Sequence, residues 1–212
     1  MKYTKMLALA AVAVGALTAF LGAGTASASK FCSTTVSPCP AGQNWPVNTV
    51  IDFSIPSPGG SVQWNDTSGN TLNSCTSSTI KGQITNAGSA TSTVTSSIGE
   101  LTWPACIFTT KIMTKNSLEV HQIAGTSNGT VTSDGAIEVT MNTGAFGSCI
   151  YGAATGVDLG TITEGSGTGA TFHANAVTTR FGSNFLCPST SRWTGTYVLT
   201  SPAGTTLSVS SS

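Results

Sequence analysis

The amino-acid sequence predicts an all-β protein, an antiparallel two-sheet β-sandwich of jelly-roll or immunoglobulin-like type with about ten to twelve short strands and three disulfides. Apolar residues alternate with polar ones at a period of two, turn-forming residues separate the alternating segments, and six cysteines are spread along the chain. No window shows the helical period of an amphipathic segment. Many short strands in one domain favour two packed sheets over a single open sheet.

Three regions carry the clearest alternation. Residues 47–55 alternate apolar and polar side chains, and the turn-forming run at 56–60 leads to a second strand at 62–64, which predicts a hairpin. Residues 137–142 alternate directly after an Asp-Gly turn signal, and residues 193–200 place their large apolar side chains on one face. Weaker alternation predicts further strands within residues 71–84, 107–113, 117–123, 157–163, 170–178 and 206–209.

Residues 1–28 are predicted to form a signal peptide. Lys2 and Lys5 precede an apolar run at residues 6–21, and the tripeptide ASA at 26–28 is a small-residue site typical of signal-peptidase cleavage. We therefore expect a secreted mature chain, residues 29–212, that folds as a single β-sandwich domain. Beyond residue 28 no stretch approaches the roughly 20 apolar residues of a spanning helix, so no transmembrane segment is expected in the mature chain.

All six cysteines follow the predicted cleavage site. An even number of cysteines in an exported chain predicts three disulfides, because an oxidising compartment forms and keeps them. The spacings lack the close C-x-x-C pairs of zinc sites, so neither a metal nor another cofactor is expected. Six cysteines allow 15 pairings. Sequential pairing is expected because each pair then joins segments a hairpin or two apart, which gives Cys32 with Cys39, Cys75 with Cys106, and Cys149 with Cys187.

Charged residues make up only 8% of the chain. Without Lys2 and Lys5, six of the eight basic residues remain against eight acidic ones, which gives the mature chain a net charge of −2. This balance provides no electrostatic footprint for nucleic acid or for an anionic membrane. Partners are therefore expected among extracellular ligands such as a glycan, a small apolar molecule or a cell-surface component.

Five residues are candidates for ligand contact: Trp45, Trp103, Glu119, His121 and His173. Trp64 and Trp193 fit core positions by alternation, whereas Trp45 and Trp103 each precede a proline and are expected at exposed loop ends, where a flat ring can stack on a sugar. Glu119 and His121 are two apart on a predicted strand, so their side chains share a face and can form a carboxylate–imidazole pair. His173 lies on the face opposite its apolar neighbours, either exposed or in a polar pocket.

The sequence contains one segment with the pattern of a catalytic motif. Residues 125–129 match G-x-S-x-G, but that motif requires a strand-to-helix turn, and the residues that follow here read as a strand. A hairpin loop is the better interpretation, and no catalytic residue is assigned. The eight acidic residues include possible glycosidase pairs, although a single sequence does not show which of them converge.

The segments CTSSTIKG at 75–82, GSCIYG at 147–152 and LCPSTSRWTGTYVLTSP at 186–202 resemble a family of small secreted actinobacterial proteins with no assigned function. The resemblance covers most of the mature chain loosely and the last segment best. It implies secretion, paired cysteines and a β-rich fold, and it carries over no catalytic residue.

Together these observations predict a non-catalytic extracellular protein that binds a ligand or belongs to the cell surface. Two alternatives stay open. One is a secreted hydrolase of polysaccharide or peptide that uses carboxylates or the Glu119–His121 pair. The other is a carrier of a small apolar ligand, which would need an apolar cavity of several hundred Å³, roughly the size of known ligand pockets.

Overall fold

The computed structural model describes residues 28–165 and 169–211. All of the predicted signal peptide except Ala28 lies outside these residues. The described part contains one 3-10 turn, Gly144–Phe146, and fifteen strands. The strands are β1 (Ser29–Cys32), β2 (Val50–Ser54), β3 (Val62–Asn65), β4 (Thr71–Cys75), β5 (Thr79–Ser89), β6 (Ser92–Thr102), β7 (Thr110–Thr114), β8 (Ser117–Gln122), β9 (Gly129–Asp134), β10 (Ile137–Asn142), β11 (Ser148–Ala153), β12 (Asp158–Thr163), β13 (Thr171–Phe181), β14 (Thr190–Ser201) and β15 (Ser208–Ser211). None of the described helical segments has the length and hydropathy needed to cross a bilayer.

Eight strands form a closed barrel in the order β14-β2-β5-β6-β8-β9-β12-β13, and β13 pairs back onto β14. The all-β prediction holds, but the predicted two-sheet sandwich is wrong, because these strands leave no free edge between two separate sheets. The strands are also longer than expected, since β5, β6, β13 and β14 have eleven or twelve residues each. Bulges in the β5–β6 and β9–β12 pairings bend the strands, and this coiling lets the sheet close on itself.

The remaining strands of the large sheet form a second curved layer that shares β13 and β14 with the barrel. β3 and β4 extend from β14, while β11, β10 and β7 extend from β13. The two edges of this layer, β4 and β7, are not paired with each other, and the segment at residues 105–108 runs between them. Asn73 on β4 holds that segment, because its amide nitrogen donates to the Phe108 carbonyl (2.7 Å) and the Thr110 hydroxyl (2.7 Å). Its amide oxygen accepts from the Phe108 backbone N–H (3.0 Å).

Both ends of the barrel are covered by other strands. At one end β1 pairs with β15, and Phe31 of β1 lines an apolar cavity inside the barrel. At the other end Val139 of β10 and Tyr151 of β11 line a second cavity. Each cavity has a volume of only about 50 Å³. Side chains therefore fill most of the barrel interior.

Aromatic rings dominate the core at the shared β13–β14 hairpin. Phe172 contacts Trp193 and Tyr197 with ring centroids 6.2 and 6.0 Å apart. The buried Tyr197 hydroxyl lies 2.9 Å from the hydroxyl of Ser78. The predicted core positions of Trp64 and Trp193 are confirmed, since both side chains are buried.

The three predicted disulfides form with the expected pairing, Cys32–Cys39, Cys75–Cys106 and Cys149–Cys187. Cys75–Cys106 links β4 to the segment that Asn73 also holds. Cys149–Cys187 links β11 to the loop between β13 and β14. Each of these two disulfides therefore fastens a loop of the second layer to one of its strands.

Candidate functional site

The two most exposed large apolar side chains of the described residues, Phe185 and Ile107, lie on loops of the second layer, ahead of Met113 on β7, which is 62% exposed. We call Ile107, Phe146, Phe185 and Leu186 the tethered-loop surface. Phe185 is 81% exposed, Ile107 70% and Leu186 56%, whereas large apolar side chains are usually buried at least in part. The Phe108 ring lies against Gly144, which brings the loop carrying Ile107 beside the loop carrying Phe146.

Asn184 connects the two remaining loops of this surface. Its side-chain nitrogen donates to the carbonyl oxygens of Phe146 (2.9 Å) and Ser148 (3.1 Å), and its side-chain oxygen accepts from the backbone N–H of Leu186 (3.2 Å). The Arg180 guanidinium donates to the carbonyls of Asn184 (3.1 Å) and Cys187 (2.5 Å). Together with the Cys149–Cys187 disulfide, these bonds hold the backbone of both loops while their apolar side chains face outward.

A polar groove lies on the outer face of β13 and β14, beneath the connection between β2 and β3. We call it the His173 groove. Its volume is about 680 Å³, and it is lined by His173, Thr194 and Thr196 on β13 and β14, by Gln63 of β3 beside Thr194, and by Pro56 and Pro58 of the connecting chain. The groove exists because β2 pairs with β14 from Val198 onward while β3 pairs only up to Gly195, so the connecting chain leaves the sheet between them.

Two threonine hydroxyls hold the His173 imidazole in the groove. Its Nδ1 lies 3.2 Å from Oγ1 of Thr196, and its Nε2 lies 3.2 Å from Oγ1 of Thr171. Oγ1 of Thr171 is also hydrogen-bonded to Oγ1 of Thr163. The result is a continuous chain of hydrogen bonds across β12, β13 and β14. The predicted placement of His173 on the polar face of its strand is confirmed.

Glu119 and His121 form the pair that their spacing predicts. Oε2 of Glu119 lies 3.4 Å from Nε2 of His121, which also lies 3.1 Å from Oγ1 of Thr132. Both side chains are partly exposed on the outer face of β8. His173 is three strands away across the ladder, roughly 14 Å at the usual strand spacing, so the structure does not bring the two histidines together. Within residues 28–165 and 169–211, no three histidine, cysteine or acidic side chains are grouped as metal ligands.

The expected exposure of Trp45 and Trp103 is wrong. Trp45 is 6% exposed and packs against Phe31, with ring centroids 6.4 Å apart. Trp103 is 5% exposed and meets Trp64 edge-on at 5.2 Å. Both residues close off the core beside a proline instead of projecting from a loop, because burial of an indole ring outweighs the local turn signal. Neither ring can reach a ligand in this conformation.

Sequence reasoning missed Phe146, Phe185 and Leu186. They lie in segments without alternation, so no strand face could be assigned to them. The available signal was local: residues 181–187, FGSNFLC, place three large apolar residues around a Gly-Ser-Asn turn and directly before a cysteine. Apolar residues in a turn that a disulfide fastens are candidates for exposure, because the turn backbone stays at the surface.

Comparison with known proteins adds no relative: no protein-family model, curated protein or solved structure matches the chain. The two surfaces described above are therefore the basis for inferring function. The three disulfides are consistent with an extracellular protein.

Proposed function

We propose that the protein is a secreted, non-catalytic binding protein that docks on a partner protein through the tethered-loop surface. The observation that carries this proposal is the cluster of exposed apolar side chains on loops held by Asn184, Arg180 and the Cys149–Cys187 disulfide. Exposed apolar side chains grouped on neighbouring loops of a folded domain commonly mark an interaction site.

Preorganisation of the loops supports this function. Ordering a flexible loop upon binding opposes association, and so does immobilising each side chain. In the tethered-loop surface the backbone is already fixed, so only the side-chain rotamers of Phe185 and its neighbours remain to be ordered. Rigid aromatic side chains that enter a partner's pocket supply much of the binding free energy in protein interfaces.

Charge and composition favour a protein over a lipid bilayer as the partner. The mature chain has a net charge of −2, which does not attract anionic lipid headgroups. The tethered-loop surface contains no tryptophan or tyrosine, the residues enriched at membrane interfaces. The cation that contacts its loops, Arg180, is engaged by backbone carbonyls.

Export with cleavage after Ala28 is part of the proposal. It is supported by the basic start, the apolar run and the ASA site in the first 28 residues, together with three disulfides that require an oxidising compartment. N-terminal sequencing of the protein from culture medium is expected to begin at Ser29. Recovery of a chain that still begins at Met1 would contradict the export step.

Surface binding is favoured over the carrier alternative. The two barrel cavities of about 50 Å³ each are far smaller than the roughly 300 Å³ or more of typical ligand pockets. A carrier would need the barrel strands to separate, whereas binding through the tethered-loop surface needs no such rearrangement.

Site-specific photocrosslinking in the producing cells tests the proposed docking. Phe185 is replaced by p-benzoylphenylalanine, and as a control the same photoreactive residue replaces Val36, which is also exposed but lies on the loop that Ser37 joins to Ser210 of β15. Illumination is expected to link the Phe185 variant to one defined protein and the Val36 variant to none. The crosslinked product should disappear from the gel when excess wild-type protein competes for the partner.

A second variant separates specific docking from general stickiness. An excess of the double variant F185S/L186S should fail to compete for the crosslinked partner, whereas V36S should compete as well as wild type. All these substitutions are at exposed positions, so little loss of stability is expected. Equal competition by F185S/L186S and V36S, or equal crosslinking at both positions, would refute the proposed role of the tethered-loop surface.

A further inference from the structure

We propose that the His173 groove is a second binding site, which takes a neutral oligosaccharide. This site is distinct from the tethered-loop surface. β13 carries His173 near one end and Phe181 at the other, eight residues apart, which corresponds to roughly 26 Å along the strand. The inference rests on the size of the groove, the chemistry of its lining and the hydrogen-bonded state of His173.

The size and shape of the groove suit a short stretch of a linear sugar chain. Its volume of about 680 Å³ falls within the roughly 300–1,000 Å³ of known ligand sites. It is open to solvent along the outer face of β13 and β14, so a chain can lie along it without the strands moving apart. The barrel cavities, by contrast, are small and lined mostly by apolar side chains.

The lining of the groove selects for an uncharged ligand. Of the described residues that line it, only His173 can carry a charge, and the others are Pro, Gly, Ala, Ser, Thr and Gln. A phosphate, a carboxylate or a basic peptide would lose its hydration on entering and would find no opposite charge in return. A neutral sugar carries no such penalty.

Polar and apolar groups face each other across the groove as a sugar ring requires. Pro56 and Pro58 offer apolar ring surface for the C–H groups of a sugar, while Gln63, Thr194 and Thr196 offer hydrogen-bonding groups for its hydroxyls. Within the described part of the chain, the side chains of Gln63 and Thr194 form no hydrogen bond with the protein, so both are available to a ligand.

The groove is already ordered without a ligand. The chain of hydrogen bonds through Thr163, Thr171, His173 and Thr196 fixes the imidazole, and each threonine oxygen keeps further hydrogen-bonding capacity. On the opposite wall, the Gly60 backbone N–H donates to the Pro56 carbonyl at 3.0 Å and closes the Pro/Gly turn. Little conformational entropy is therefore lost when a ligand binds.

The experiment is a binding titration of the oxidised protein, measured by calorimetry and by NMR, with three neutral probes: cellohexaose, maltohexaose and hexa-N-acetylchitohexaose. At least one probe is expected to bind, with chemical-shift changes centred on His173, Thr194 and Thr196. The H173A variant should lose about tenfold in affinity, because it removes the imidazole ring from the groove and releases the Thr196 hydroxyl that His173 holds. His121 provides the matched control, because it is also partly exposed and hydrogen-bonded to a threonine, and H121A should stay within about twofold of wild type.

A second variant and a charged probe complete the test. The double variant Q63A/T194V changes two side chains that form no hydrogen bond within the described part of the protein, and it should weaken binding of the same probe by at least about tenfold. Hexagalacturonate, a charged analogue, should bind more weakly than the neutral probes. Failure of all three neutral probes to bind at millimolar concentration would overturn the inference, as would equal affinities of H173A and H121A. Tighter binding of hexagalacturonate would also overturn it.

The same variants distinguish the His173 groove from the tethered-loop surface. F185S/L186S should bind the saccharide like wild type, and H173A should still compete for the crosslinked partner. Loss of saccharide binding in F185S/L186S would contradict the separation of the two sites.

Discussion

Replacing Asn73 by alanine tests how the open side of the second layer is held together. The Asn73 side chain is buried on β4 and makes four hydrogen bonds: two donated to Phe108 and Thr110, and two accepted from the backbone N–H groups of Phe108 and Ser74. A typical hydrogen bond contributes about 1 kcal/mol net, and partners near the surface recover part of this from water. We therefore expect N73A to lower the free energy of unfolding by about 3 kcal/mol.

The assay is urea and thermal unfolding of the oxidised protein at neutral pH. A loss of about 3 kcal/mol corresponds to a fall in Tm of roughly 6–12 °C for a domain of this length. N175A is the matched control, because Asn175 is exposed and accepts a single hydrogen bond of 3.1 Å from Arg192. It should change stability by no more than about 0.5 kcal/mol. Equal losses in N73A and N175A would refute the reasoning, and so would unchanged amide exchange at Phe108 in N73A.

Two further predictions concern the barrel itself. Burial raises the pKa of the Tyr197 phenol above its ordinary value, and it raises the pKa of Tyr151 to about 12. The unfolded chain then loses these protons at lower pH than the folded chain. The free energy of unfolding should therefore keep its full value below about pH 10 and decline above it. Y197F should flatten that decline in urea unfolding measured across this range, and an unchanged slope would contradict the assignment. Gly160 has a φ of +142°, and a Cβ there would lie 2.0 Å from a backbone carbonyl oxygen of the facing strand, so G160A should lose more than about 3 kcal/mol. G156A, at a φ of +77° with nothing within 4 Å, should lose only about 1 kcal/mol, and similar losses in the two variants would show that this close approach is unimportant.

Local sequence signals predicted the faces of individual strands but not the closure of the sheet. Alternation correctly assigned Trp64 and Trp193 to the core, and sequential pairing of the cysteines was correct because each disulfide joins neighbouring segments. A sandwich and a barrel share the same period of two, so alternation does not distinguish them. The difference lies in strand coiling, which depends on bulges such as the one at Asp158/Gly160. A bulge leaves almost no trace in the apolar pattern.

The candidate sites were predictable where a residue's strand face decided its exposure. His173 is polar and lies on a strand whose opposite face is apolar, so its outward position followed from alternation. The groove beside His173 could not be predicted from alternation. It depends on β2 and β3 pairing with different parts of β14, which is far from both of them in the sequence. Phe185 lies in a turn without alternation, and its exposure depends on Asn184 and the Cys149–Cys187 disulfide fixing the loop backbone.

The distribution of apolar area explains why both proposed sites lie on the outside. β1 covers one end of the barrel and the β10–β11 hairpin covers the other, and the two interior cavities are each only about 50 Å³. A ligand inside would have to displace packed side chains such as Phe172, at the energetic cost of a core rearrangement. Binding is therefore favoured where the fold leaves space or exposed apolar area without strain. Along β13 this occurs at two places, the gap between the β2 and β3 pairings at one end and the disulfide-bonded loops at the other.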